Sequence, residues 1–277
     1  MTPIKVGKYP LRIPQNQQEL SIDTYKRISG LLMQGDSPSL RGKIIMRLIA
    51  IQMKRKQLKI FKTGFIDPYA LMKLGELIGW IWKRYEITGQ SHIEPWVQEF
   101  KYKRKRYLLP LPNFDDVIIN EFAYINMYLD MIAEGDAEAV YGLAALICRP
   151  LKSKKEREKN TYNGQPRIHF NPEKIDVERF KEAPEWLLWN VYDFCLRAQL
   201  MIHKRYEVIF SGEKSGGPNF GWLGMVMNIA ETGTYGKARE VEQESLHTIC
   251  VYATRKILDQ KRHEEELEQI RKKNARP

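Results

Sequence analysis

The residue types that come nearest to a chemistry are gathered in Phe100-Lys101-Tyr102-Lys103-Arg104-Lys105-Arg106-Tyr107, where three rings alternate with five cations. Rings that stack and cations that neutralise phosphate are what a single-stranded nucleic acid platform uses. The same composition describes an exposed hairpin whose tyrosines cover a helix, and the same cations would serve an acidic helical protein partner. Catalytic constellations are weaker. None of the five histidines, His92, His169, His203, His247 and His263, stands in an H-x-x-x-H or H-E-x-x-H pair. His263-Glu264-Glu265-Glu266 lies in a charged helical stretch and reads as a solvated face. Asp115 and Asp116 are adjacent; neighbours one apart on a helix do not face each other, so they read as a helix cap and not as an acid–base pair. The glycines between Gly212 and Gly217 miss the phosphate-loop order, because Lys214 precedes Gly216 instead of following it. No catalytic residue, metal site or cofactor is therefore expected.

The elements that must carry these residues are helical. A hydrophobic share of 43% and an aromatic share of 11% over 277 residues are enough for a folded core. Forty-five basic against 34 acidic residues leave a net charge of +11. Such a balance attracts nucleic acid or an acidic protein surface, and it is equally met in an ordinary solvated surface. Cys148, Cys195 and Cys250 sit singly in apolar stretches, which fits buried free thiols and neither a disulfide framework nor a metal site. Met1 to Gln18 has no apolar segment of signal-peptide length, and no apolar run approaches the ~18 residues of a membrane span. The chain is expected to be soluble and to stay where it is made.

Taken in order, Ile4 to Ile13 reads as an extended arm or edge strand, since Pro10 and Pro14 exclude a helix interior. Ser21 or Asp23 caps a helix carrying Tyr25, Ile28, Leu31 and Leu32, and Gly35 to Pro38 is a turn. Ile44, Ile45, Leu48 and Ile49 repeat at helical spacing. A further helix is predicted over Pro68–Lys83, capped by Asp67, with Leu71, Leu74, Leu77, Ile78 and Ile81 inward. Thr88 to Glu94 is polar and punctuated, the best internal boundary. Trp96 to Leu109 alternates like two short strands folded into a hairpin, although no Asn-Gly or Asp-Gly marks the turn. A helix from Asp115 to Ile132 carries the stripe Ile118, Phe122, Ile125, Leu129 and Ile132 and ends at Gly135. Asp136 caps the next helix, which stops at Arg149-Pro150. Lys152 to Lys159 is a charged loop, Asn163-Gly164 a turn, and Arg167 to Phe170 a candidate strand. Pro184 opens a helix apolar nearly all round, from Trp186 to Cys195, which should run through the centre of the fold. After a glycine-rich loop at 211–219, Phe220 and Trp222 begin another apolar helix. A long final helix shows Val241, Leu246, Ile249, Ala253 and Ile257 inward, and beyond Asp259 it is almost wholly charged. The predicted fold class is mainly α with a small β-hairpin near residues 96–109. Three segments are expected: a helical unit over 1–88, the hairpin plus helical core over 89–210, and a helical extension over 211–277 that can be continuous with the second.

Laid out in this order, the chain resembles the tail assembly chaperones of tailed bacteriophages, the kind encoded beside the tape measure protein. The resemblance is carried first by Glu19 to Ile28, similar to that family's opening helix, and by the short apolar helix Ile44 to Ile51. It continues through Phe100 to Tyr107 and Asn120-Glu121-Phe122-Ala123-Tyr124-Ile125, which looks like a hairpin leading into a "gEyidle" helix. It closes on Leu143 to Pro150, similar to an "ilAvlyRP" element. Asn120 stands where the family pattern has glycine, and Phe220 to Tyr252 matches only loosely. The resemblance implies a non-enzymatic protein of the host cell cytoplasm. Its partners would be the tape measure protein, kept soluble by it, and the tail-tube protein, whose polymerisation it promotes. Self-association is compatible with this and a membrane is not involved. Candidate partner-binding residues are Phe100, Lys101, Tyr102, Lys103, Arg104, Lys105, Arg106 and Tyr107, with Phe220 and Trp222. The alternatives are a structural component of the virion, in tail or connector, and a basic nucleic-acid-binding protein.

Overall fold

The computed structural model describes residues 2–6, 9–32, 34, 37–53, 74–84, 86–159, 166–210 and 221–274. It starts with an antiparallel pair, β1 (Thr2–Val6) and β2 (Tyr9–Ile13). Pro10 stands in β2 opposite Lys5; a two-stranded ribbon is all edge, which is where a residue without an amide donor is tolerated. In α1 (Ile22–Leu32) the Ser21 hydroxyl accepts the Thr24 amide at 3.2 Å, so Ser21 and not Asp23 is the cap. Tyr25, Ile28 and Leu32 face inward. In α2 (Pro38–Gln52) Ser37 caps the Leu40 amide and Pro38 occupies the first turn. The two residues expected as the end of a turn are thus the start of a helix. The helix predicted from Pro68 lies outside the described residues as far as 73, with Asp67 and Leu71. Its described remainder is helical at 74–76 and again in α3 (Trp80–Lys83), with a turn at 77–79 between them, and Ile78 and Ile81 are buried.

The expected hairpin is β3 (Glu99–Tyr102) and β4 (Lys105–Leu108), with Phe100 paired to Tyr107 and Lys101 to Arg106. A third strand, β5 (Arg149–Pro150), pairs with β4. Arg149-Pro150 therefore does more than stop a helix: it brings the chain back onto the hairpin. Between them run α4 (Ile119–Ala133) and α5 (Ala139–Ile147). Phe122, Ile125 and Leu129 of the predicted stripe are buried. Gly135, at φ +101°, ends α4, and the Asp136 amide reaches back to the Met131 carbonyl at 2.9 Å. A Cβ on Gly142 of α5 would lie 2.2 Å from a ring carbon of Tyr128 in α4, so glycine is what lets these helices meet. The charged run holds a short exposed helix, α6 (Lys154–Arg157), closed by a Ser153–Glu156 capping box. Arg167 to Phe170, predicted as a strand, makes a single bridge from Arg167 to Leu151. Asn163-Gly164 and the glycine-rich loop lie outside the described residues.

The centre of the molecule is α7 (Glu185–Arg205), as its composition predicts. Leu187, Val191, Phe194, Cys195, Ala198, Met201 and Ile202 are buried, and α1, α4 and α5 pack against it. Then follow α8 (Glu207–Phe210), which also packs on α7, α9 (Gly221–Glu231), α10 (Ala238–Val241) and α11 (Leu246–Asn274). The final helix thus begins at Leu246; Val241 is buried but belongs to a separate turn of helix. One apolar cluster joins Ile13, Tyr25 and Ile28 to Phe122, Phe194, Ile249 and Cys250, so residues of all three expected segments share it. Each large side chain buried this way contributes about 1.5–3 kcal/mol. The fold is mainly α-helical with a small antiparallel sheet. Among the described residues no helix is long and apolar enough to cross a membrane.

Candidate interaction surfaces

In the hairpin, cross-strand pairing puts Phe100 and Tyr107 on one face, 5.7 Å apart and stacked. That face looks inward. Tyr107 meets Phe180 edge-on, Phe100 meets Trp186 edge-on, and Tyr102 stacks on Phe180 while its hydroxyl donates to the Arg179 carbonyl at 2.9 Å. Phe100 and Tyr107 are buried and Tyr102 is half-buried. The cations face out: Lys101, Lys103, Arg104, Lys105 and Arg106 are all exposed. Arg106 pairs with Glu99, and Lys103 reaches Glu182 at 2.7 Å. Lys101, Arg104 and Lys105 make no ion pair among the described residues. The structure therefore separates what the sequence interleaves. The rings hold the hairpin on the body, and the cations form an exposed surface, partly paired with Glu99 and Glu182, that offers charge without a stacking platform.

The turn of this hairpin is made by Lys103 and Arg104, both left-handed at φ 43° and 67°. Such a turn fits the twist of paired strands but favours Asn-Gly over long side chains. Arg104→Gly should therefore stabilise the protein by about 0.5–1 kcal/mol, read as a raised urea midpoint at unchanged slope.

Trp222 is half-buried, edge-on to Phe122 at 4.8 Å and to Phe210 at 5.5 Å, and so ties α9 to α4 and α8. Phe220 lies outside the described residues.

Two of the residues carrying the resemblance, Glu121 and Arg149, meet in a buried ion-pair cluster. Glu121, only 1% exposed, accepts from Arg149 Nη2 with both carboxylate oxygens at 2.6 Å, and from Arg167 Nη1 at 3.4 Å. Arg167, 3% exposed, also donates Nε to Asp116 at 2.9 Å and Nη1 to the Ile147 carbonyl. Asp116 in turn accepts the Leu111 amide at 2.7 Å. Two carboxylates and two guanidiniums thus form a charge-balanced and largely buried quartet, linked in the order Arg149–Glu121–Arg167–Asp116. Burial pulls the Arg149 guanidinium down to about 10, with Glu121 opposing, so it stays charged at neutral pH.

This corrects the reading of Asp115 and Asp116 as a cap. Neither caps α4, whose first turn begins at Ile119 behind Ile118. Asp116 belongs to the quartet, and Asp115 lies 3.5 Å from His247 Nε2. The first amides of α4 are met from far along the chain, Ile119 by the Glu244 carbonyl at 3.0 Å and Asn120 by that of Glu242 at 3.3 Å. Carbonyl oxygens serve the exposed donors of a helix start as well as a side chain would.

Three buried polar residues of α7 make a second seam. Asn190 accepts the Val97 amide at 3.0 Å and donates to the Val97 carbonyl at 2.9 Å. Asp193 and Arg197, one turn apart, pair at 2.9 Å, and Arg197 Nη2 donates to the Glu94 carbonyl. The predicted boundary at 88–94 is thereby fastened to the central helix. Polar residues in a helix otherwise apolar all round were the available signal for this seam.

His203 rests against Phe210, ring centres 4.2 Å apart. Burial lowers its pKa, with Asp130 opposing. A histidine depressed in the folded state contributes stability that is complete above the unfolded value of ~6.5 and is lost as pH falls through the folded one. Unfolding midpoints should therefore drop below about pH 6.5, and His203→Gln should flatten that decline. The three cysteines are buried and unpaired; burial pushes Cys250 up to about 12 and raises Cys148 and Cys195 as well. Among the described residues no group of three or more His, Cys, Asp or Glu is placed to hold a metal ion.

The last surface is α11 itself. Its first turns pack through Leu246, Ile249, Cys250 and Ala253, whereas every described side chain from Leu258 to Lys273 is exposed, Leu267 at 42% and Ile270 at 53%.

Comparison of the chain with protein-family models, with curated proteins and with solved structures finds no match.

Proposed function

We propose that this protein is a non-enzymatic assembly factor of the tail-assembly-chaperone kind, holding a long helical tape measure protein soluble and promoting tail-tube assembly along it. The observation that carries the reading is the quartet. Glu121 and Arg149, from the two elements with the most specific resemblance, are direct ion-pair partners across 28 positions of sequence. A pattern of separated short motifs then has a physical reason: the motifs are two halves of one buried contact. The exposed hairpin cations Lys101, Arg104 and Lys105, which make no ion pair among the described residues, support a protein partner with an acidic stripe. The inward rings weigh against single-stranded nucleic acid, which needs them on the outside.

The test is co-expression with the long helical protein encoded next to this gene. The partner should stay soluble and co-purify with this chain, and it should precipitate when the gene is deleted. Charge reversal of Lys101, Arg104 and Lys105 should weaken the association without unfolding the protein. Purified particles carrying this chain in many stoichiometric copies would overturn the reading in favour of a virion component.

A further inference from the structure

The exposed half of α11 carries a pattern that the packed half and the partner reading leave unused. In the packed half, positions 246, 249 and 253 face the core. Continued at the same seven-residue spacing, this face passes Lys256, Gln260 and His263 and then becomes apolar again at Leu267 and Ile270. The polar interruption falls where the helix leaves the body, and the apolar pair follows, with Leu267 and Ile270 both exposed. Flanking that pair on one side are Glu264 and Arg271, and on the other Glu266 and Lys273. Each flank thus reads acid then base along the helix.

We propose that this segment is a self-pairing helix: two copies of the protein join antiparallel through residues 263–274. The charge order selects the occupant. When a second copy runs in the opposite direction, Leu267 of one chain meets Ile270 of the other. Glu264 then faces the second copy's Arg271, and Glu266 its Lys273, so all four flanking pairs are of opposite sign. A parallel copy in register would instead place Asp259 beside Glu264 and keep only the Glu266–Arg271 attraction. The overlap is short, about 18 Å at 1.5 Å per residue, so the dimer is weak, dependent on concentration and sensitive to salt. It is also long. The crossing point lies well outside the body, which puts the two Leu246 positions roughly 65–70 Å apart along the common axis. The proposal does not rest on the chaperone reading and would hold for a virion component as well.

The full chain is examined by sedimentation equilibrium from about 5 to about 500 µM at low and at high salt. A monomer–dimer equilibrium weakened by salt is expected, with small-angle scattering of the dimer showing two bodies at the stated separation. Leu267→Ser with Ile270→Ser should abolish the dimer. Glu264→Lys with Glu266→Lys should do the same, as should Arg271→Glu with Lys273→Glu. Mixing these two charge variants should restore a heterodimer. All the substituted residues are exposed, so the thermal transition of the body serves as the folding control. A wild-type chain that stays monomeric at the highest concentration overturns the proposal. So does a dimer that survives Leu267→Ser with Ile270→Ser, or one whose two bodies lie side by side.

Discussion

Glu121→Ala is expected to cost about 3–5 kcal/mol of folding stability, one of the largest losses available from a single polar residue in this chain. The reason is what stays behind. Arg149 and Arg167 both donate to the Glu121 carboxylate, and both are largely enclosed. Without it, Asp116 still pairs with Arg167, and the Arg149 charge remains largely buried with no carboxylate in contact. Glu121→Gln keeps the volume and an acceptor oxygen but not the charge, so its loss should be roughly half as large. The double variant Glu121→Ala with Arg149→Ala removes the orphaned cation together with its partner. It should be less destabilised than the sum of the two single changes by more than about 1 kcal/mol. Urea denaturation of the four proteins measures this cycle. Strict additivity, or a loss for Glu121→Ala below about 1 kcal/mol, would mean that water reaches the quartet and that its burial is overstated.

Phe114→Ala should be comparably damaging, at about 3–5 kcal/mol. Phe114 is fully buried and sits edge-on to Phe194 of the central helix at 5.2 Å and to Phe122 of α4 at 6.0 Å. It therefore forms the junction between the approach to α4 and the two helices beneath. Asn113 and Phe114 are both left-handed, at φ 58° and 63°, a conformation that costs a side-chain-bearing residue roughly 1–2 kcal/mol. Ring burial offsets that strain in the wild type. Alanine keeps the strain and loses the ring, whereas Phe114→Leu retains most of the buried volume and should lose about half as much. Thermal unfolding of the pair separates the two contributions. Equal losses for alanine and leucine would point to the backbone and not to the ring.

Much of this architecture is legible in the residues, and the illegible part has a common cause. Helical periods mark α1, α2, α4 and α7 because an apolar stripe is a local property of spacing, and Gly135 marks a helix end because a left-handed residue is needed there. The hairpin is legible from its alternation alone, although its turn is made by Lys103 and Arg104, where a sequence reader would look for glycine. The quartet is different. Its ion-paired members lie between 28 and 51 positions apart, and each, taken singly, looks like a solvent-facing residue. Its position makes Asp116 look like a helix start for a sound local reason, since acids do favour that place. The true occupants of α4's first amides are main-chain carbonyls, which no side-chain pattern can announce. The same holds for the hairpin surface. Its alternation of rings and cations is visible, but which of the two faces Phe180 and Trp186 is settled only by packing.

The capping of α4 by Glu242 and Glu244 also bears on when the protein can fold. Ile119 and its acceptor are separated by more than 120 positions. At a synthesis rate of about 5–20 residues per second, α4 therefore waits roughly 6–25 s before the segment that closes its first turn has been made. During that interval the Ile119 and Asn120 amides lack their native acceptors, although α5 and α7, made earlier, can already cover the apolar stripe. The native start of α4 is thus completed only once the break between α10 and α11 emerges. A nascent chain stopped short of it should leave the Ile119 and Asn120 amides open to hydrogen exchange.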